Sequence, residues 1–153
     1  MRFLCLVYHE EEKLAQLSQP EMDSLVGACI DWAEGLERSG HHIMSAGLQS
    51  VESAATVRVR NGKLMTTDGP FAETKEILGG FTLINARDLD EALQLAAKFP
   101  AARIGSMEVR PVLEPGESVD DPLDRRIQSA INRRAAGFNP FAASNTGSYP
   151  QAD

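Results

Sequence analysis

The chain begins with an unbroken apolar run, Phe3-Leu4-Cys5-Leu6-Val7-Tyr8, in which both alternating sets of side chains are apolar. A strand with two covered faces belongs inside a sheet, so the run predicts a central strand over residues 2–8. From Glu10 to Gln19 no period is visible, and the segment reads as a loop or a short extra turn. Met22, Leu25, Val26, Cys29, Ile30, Ala33 and Leu36 then recur at helical spacing, with Ser18 as cap, Pro20 in the first turn and Gly40 as stop. Residues 41–48 form a strand candidate. Thr56-Val57-Arg58-Val59-Arg60 and Lys63-Leu64-Met65-Thr66-Thr67 flank Asn61-Gly62, a pair that accepts positive φ at both turn positions. This predicts a type I′ hairpin with one polar and one apolar face. Residues 79–85 read as the next strand. Asp88, with Glu91 in the reciprocal capping position, opens a second helix whose inner stripe is Leu89, Ala92, Leu93 and Ala96 and which Pro100 ends. Residues 106–112 supply the last strand.

The order strand, helix, strand, hairpin, strand, helix, strand predicts an α+β, ferredoxin-like βαββαβ domain with an inserted β-hairpin, occupying residues 1–113. Helices cover one face of such a sheet. A bare apolar sheet is rare on a soluble monomer, so the other face is expected to be covered by a second copy, in a homodimer. Residues 114–153 are an extension rich in Pro, Gly, Ser, Asn and Asp. Within it, 121–134 predicts a short helix with Leu123, Ile127, Ala130 and Ile131 on one face, docking on the body or the partner, and 135–153 is expected to be flexible.

A length of 153 residues with 42% hydrophobic composition suits one packed core. The net charge of −7 repels phosphate backbones, which argues against a nucleic-acid partner. The first apolar run is cut off by His9-Glu10-Glu11-Glu12, too soon for a signal peptide or a membrane span, so a cytoplasmic protein without membrane contact is expected. Cys5 and Cys29 lie far apart and read as free thiols. No phosphate loop, nucleophile elbow or paired-cysteine motif is present, and no cofactor is expected.

Chemistry concentrates in Thr67-Asp68-Gly69-Pro70-Phe71-Ala72-Glu73-Thr74-Lys75-Glu76. Asp68 has two readings, a general base or substrate acceptor, and a side chain that caps its own turn. Glu73 and Lys75 either bracket a polar ligand or form salt bridges that face solvent or the partner subunit. Phe71 is a core or interface plug, or else a stacking platform. His9, at the end of the first strand, is the histidine to test as acid or base. His41 and His42 follow a helix end, where positive charge is favoured, and they lack a third ligand for a metal. Arg110 either binds a carboxylate or pairs with Glu108 on its own strand. Trp32 is large enough to cover the sheet edge or to seat the tail.

Asp68-Gly69-Pro70-Phe71, then Ala72-Glu73-Thr74-Lys75-Glu76 and Gly79-Gly80-Phe81, resembles the signature of the DGPF-motif branch of the YCII-related family, and the likeness extends over residues 1–113. The resemblance implies a dimeric α/β-barrel of the ferredoxin-like superfamily, a largely undefined activity, and an association with extracytoplasmic-function sigma factors. The wider family includes a dehydrochlorinase-like enzyme that relies on a histidine in the first helix and an aspartate before a proline after the second. Those positions fall here on Cys29 and Phe99, so a His-Asp general base does not carry over. Three readings follow. The chain is a small-molecule-binding or accessory dimer with its ligand between the sheet and the DGPF loop, a reading the missing pair favours. Alternatively it is an enzyme of lyase- or isomerase-like proton transfer using Asp68 or His9 near that loop, or a regulatory partner of a sigma factor.

Overall fold

β1 (Arg2–His9) is flanked by β5 (Ile77–Asn85) and β6 (Gly105–Pro111), and β2 (His42–Gly47) pairs with the far side of β5. Every pairing is antiparallel. The spatial order β2-β5-β1-β6, with helical crossovers after β1 and β5, is the ferredoxin-like arrangement. Between β2 and β5 the chain inserts a separate two-stranded hairpin, β3 (Ala55–Arg60) and β4 (Lys63–Asp68). The structure is a computed structural model that describes residues 1–114 and 119–134; the flexible end expected over 135–153 lies outside the described residues.

The polar stretch after β1 holds one short helix, α1 (Glu11–Ala15). α2 (Gln19–Arg38) starts where the sequence places it, because the Glu21 carboxylate accepts both the Ser18 N–H, at 2.8 Å, and the Ser18 hydroxyl, at 2.6 Å. It stops before Gly40, whose φ of 75° suits a residue without Cβ. In α3 (Leu89–Ala96) Asp88 accepts the Glu91 N–H at 2.9 Å. The predicted inner stripe of α3 needs correction. Ala92 and Ala96 are buried and Leu95 packs on the core, whereas Leu89 and Leu93 are exposed. The helix lies close to the sheet on its small residues, which turns these leucines outward. α3 also ends at Ala96, and Pro100 instead opens a 3-10 turn, Pro100–Arg103.

The core joins Phe3 and Cys5 of β1, Ile84 of β5, Leu36 of α2, Ala86, and the two alanines of α3. Trp32 packs against this set. Its indole N–H donates to the Leu95 carbonyl at 3.0 Å, and its ring meets Phe99 edge-on with centroids 4.9 Å apart. Strand alternation puts Arg2, Leu4, Leu6 and Tyr8 on the opposite face, in register with Leu83 and Phe81. These apolar side chains are only half-buried.

At the hairpin turn Asn61 and Gly62 have φ of 52° and 72°, as a type I′ turn requires. The apolar face is there, but uncovered: Val57, Val59 and Leu64 are 61%, 58% and 69% exposed. Residues Met1–Val112 form one compact unit, and the described residues from Leu113 onward belong to a second. In the second, α4 (Pro122–Arg134) is started by Asp121, whose carboxylate accepts the N–H groups of Leu123 and Asp124 at 2.8 and 3.1 Å, and Leu123 and Ile127 are exposed.

Candidate functional site

Tyr8 and His9 are consecutive on β1 and therefore point to opposite faces of the sheet, into two different clefts. Just there the register slips: Val7 pairs with Gly80 and Tyr8 with Leu78, leaving Gly79 as an extra residue on β5. The His9 ring fills the space beside it, so a Cβ on Gly79 would lie 1.9 Å from His9 Cε1. A Cβ on Gly80 would lie 2.8 Å from the Ala46 carbonyl oxygen. The Gly79-Gly80 pair is thus a consequence of close approach on both flanks.

The Tyr8 side opens on a cleft of about 730 Å³. Its walls are Tyr8 and Leu78 from the sheet, Pro70 and Phe71 from the 69–76 loop, and the hairpin root up to Val57, with Thr74 and Glu76 as polar groups. The loop turns at Gly69, with φ of 89°, and backbone bonds hold it: the Gly69 N–H donates to Ala54 at 2.7 Å, and the Thr56 hydroxyl donates to the Gly69 carbonyl at 2.8 Å. The Arg58 guanidinium donates to the Phe71 carbonyl at 3.3 Å.

Asp68 does not cap this turn. It is the last residue of β4, paired with Ala55, and its carboxylate takes no hydrogen bond among the described residues. Phe71 is 82% exposed, so it is no plug for the core of its own chain. Glu73 and Lys75 do not pair with each other. The Lys75 ammonium lies 3.4 Å from Glu10, which also holds Lys13 at 2.8 Å. Lys13, and after it Lys75, keep the buried Glu10 carboxyl below its ordinary range against the opposing effect of burial. Glu10 went unremarked in the sequence because it opens a stretch without period; the available signal was a carboxylate ending an apolar strand with lysine three residues on. The Ser106 hydroxyl donates to Glu76 at 3.4 Å.

The His9 side opens on a second cleft of about 460 Å³, between the first half of α2 and the sheet. Met22, Leu25 and Phe99 make it apolar, and His9, Cys29 and Thr82 supply its polar groups. The Ser45 hydroxyl donates to Thr82 at 3.1 Å. Burial raises the Cys29 thiol above its ordinary range and pushes Cys5, within the core, up to about 11. Cys29 and Phe99, the positions compared with the dehydrochlorinase-like pair, therefore face one cavity together with His9. His9 and Asp68 are not brought together: the first lies under α2, the second at the hairpin root. Arg110 is exposed and paired with Glu108, away from both clefts. His41 Nδ1 lies 2.7 Å from the Ser39 hydroxyl and His42 Nε2 2.8 Å from the Ser45 hydroxyl. Among the described residues no three ligating side chains converge to hold a metal ion.

A family model for the YCII-related domain matches residues 1–115. The chain belongs to the YCII-related family. This YCII-related chain is 36% identical over 121 residues to an uncharacterised protein of Rhizobium meliloti (strain 1021), a match covering 76% of the chain and 98% of that relative. Among solved structures it is similar to the 5-chloro-2-hydroxyhydroquinone dehydrochlorinase of Burkholderia phenoliruptrix AC1100 in complex with 2,5-dihydroxybenzoquinone. That likeness has 17% identity and a TM-score of 0.45, over 76% of this chain and 96% of the other. No helix of the YCII-related chain, among the described residues, is long and apolar enough to cross a membrane.

Proposed function

We propose that the chain is a small-molecule-binding protein that holds its ligand between the sheet and the 69–76 loop and works as a homodimer. The observation that carries this reading is the Tyr8 cleft. Its volume of about 730 Å³ falls in the range of ligand clefts, its walls are mainly apolar, and Tyr8, Thr74 and Glu76 are placed to orient a ligand. Phe71, fully offered at the rim, is a surface on which a flat ligand stacks. Asp68 and Glu73 flank the loop without ion-pair partners among the described residues, which leaves both carboxylates to a ligand or a second chain. Lys75 and Arg110 act at one remove, the first by tying the loop to Glu10, the second through Glu108. The half-buried apolar face of Leu4, Leu6, Phe81 and Leu83 continues from Tyr8 and supports the dimer. The net charge of −7 supports a protein that does not engage nucleic acid.

A thermal-shift screen of metabolites on the wild type and Phe71→Ala tests the reading. Because Phe71 is exposed, Phe71→Ala should melt like the wild type when free. It should bind the stabilising ligand about tenfold more weakly, a loss of about 1.4 kcal/mol. A screen without a stabilising ligand, or equal affinity in the two proteins, would refute it.

A second reading has its own observation: His9 shares the cleft under α2 with Cys29 and Phe99, where it is the one imidazole available for proton transfer among the lining residues. On this reading a small substrate lies under α2, and His9→Gln abolishes turnover while leaving ligand binding at the loop intact. The link to a sigma factor draws on the family resemblance alone.

A further inference from the structure

Gly79, the extra residue of β5, touches both clefts. On the α2 side, the place that a Gly79 Cβ would take is filled by the His9 ring, which lines the cleft there. The Gly79 carbonyl accepts the Leu48 N–H at 2.8 Å. Leu48 is the first residue after β2 and walls the loop cleft, as does Leu78, the chain neighbour of Gly79. Contacts therefore run from His9 to Gly79 and on to Leu48 and Leu78, from one cleft through the sheet to the other.

Both ends of this link have room to move. Gly79 has no side chain to pack, stands outside the pairing register and is followed by Gly80, so the backbone there is freer than elsewhere in β5. About 460 Å³ of open space adjoins the His9 ring under α2, which gives it two resting places, on Gly79 or swung out into the cleft. A molecule lying in the cleft takes away the second place and so favours the first. The lining says what kind of molecule that is. Among the described residues around the cleft there is no carboxylate, lysine or arginine, and His9, Cys29, Ser45 and Thr82 are its few hydrogen-bonding groups along with the Trp32 indole. Such walls suit an uncharged molecule and penalise an ion.

We propose that the cleft under α2 is an effector site for an uncharged, largely apolar molecule, coupled to the loop cleft through His9 and Gly79. The occupant holds the imidazole down on Gly79. This fixes Leu48 and Leu78 and preorganises the loop cleft, so that the two sites bind with positive cooperativity. The inference rests on the loop cleft of the proposed function, but its test needs no ligand there.

Amide hydrogen exchange at two positions of the β2 and β5 pair supplies that test. The Leu48 N–H reports on Gly79, whereas the Asn85 N–H, bonded to the His41 carbonyl at 2.7 Å at the far end of β5, reports on the general stability of the pair. His9→Ala should speed Leu48 exchange relative to Asn85 at least about tenfold, and His9→Phe, which keeps a ring over Gly79, should restore the wild-type ratio. Benzyl methanethiosulfonate then provides an occupant by tethering an uncharged ring to Cys29 in the cleft; Cys5, inside the core, is the slower thiol. The label should slow Leu48 relative to Asn85 at least about fivefold in the wild type and leave the ratio unchanged in His9→Ala. Equal ratios in unlabelled wild type and His9→Ala would refute the link. A label without effect on the wild type, or with the same effect on His9→Ala, would refute the coupling. A thermal-shift screen without a hit counts against the loop-cleft ligand alone, since the exchange ratios are read on the protein with that cleft empty.

Discussion

At the scale of single residues the contact of His9 with Gly79 explains a sequence feature that composition alone leaves blank. Gly79-Gly80 reads as a weak point in a strand, yet one glycine makes room for an imidazole and the other for a neighbouring carbonyl. Gly79→Ala should therefore destabilise by about 1–3 kcal/mol in urea unfolding, the usual range for overpacking. His9→Ala removes the obstacle, so the double variant should recover most of that loss, whereas simple additivity would show that the ring is not the cause. His9 was legible as a candidate from its place at the end of an apolar strand. The role of Asp68 was not, because the turn it was expected to cap is closed by Ala54, a residue remote in sequence that only the fold brings near.

Elements were legible where their signals are local. Asn61-Gly62 and Asp88 with Glu91 each state a backbone geometry within a few residues, and the structure has both. The Glu91 carboxylate accepts the N–H of Arg87, one residue before the cap. Asp88→Ala should lower stability by about 1 kcal/mol, read as a shift of the denaturant midpoint without a change of slope; an unchanged midpoint would mean that the α3 cap contributes nothing. The orientation of α3 was less legible. Hydrophobicity favours Leu89 and Leu93 as the inner stripe, but closeness to the sheet decided for Ala92 and Ala96. The exposure of Val26 and Ile30 on α2 has a similar origin: the helix packs on the sheet through Leu36 and stands off from it at the cleft.

At the scale of the whole molecule, the order of elements was enough to read the ferredoxin-like topology, because few foldings satisfy that order with short connections. The cleft under α2 was beyond reach, since it is walled by segments far apart in the chain. Glu10 is the point where the strand end, α1 and the loop are tied by charge. Its folded-state pKa is lowered, chiefly by Lys13, so its contribution to stability is present above the ordinary carboxylate range and is lost as pH falls through the lowered value. Glu10→Gln should accordingly flatten the acid limb of the melting temperature against pH, converging with the wild type in strong acid and lying below it near neutrality. Parallel curves would dismiss the pair with Lys13 as a stabilising contact. The extra residue at Gly79 has a wider consequence. Strand side chains alternate with a period of two, so this residue sets the phase in which everything on the loop side of β5 meets the sheet. Losing it would exchange the facing of Leu78 and its neighbours without altering a single side chain, a frameshift in space by which a small insertion or deletion could refurnish a cavity that point substitutions would take many steps to rebuild.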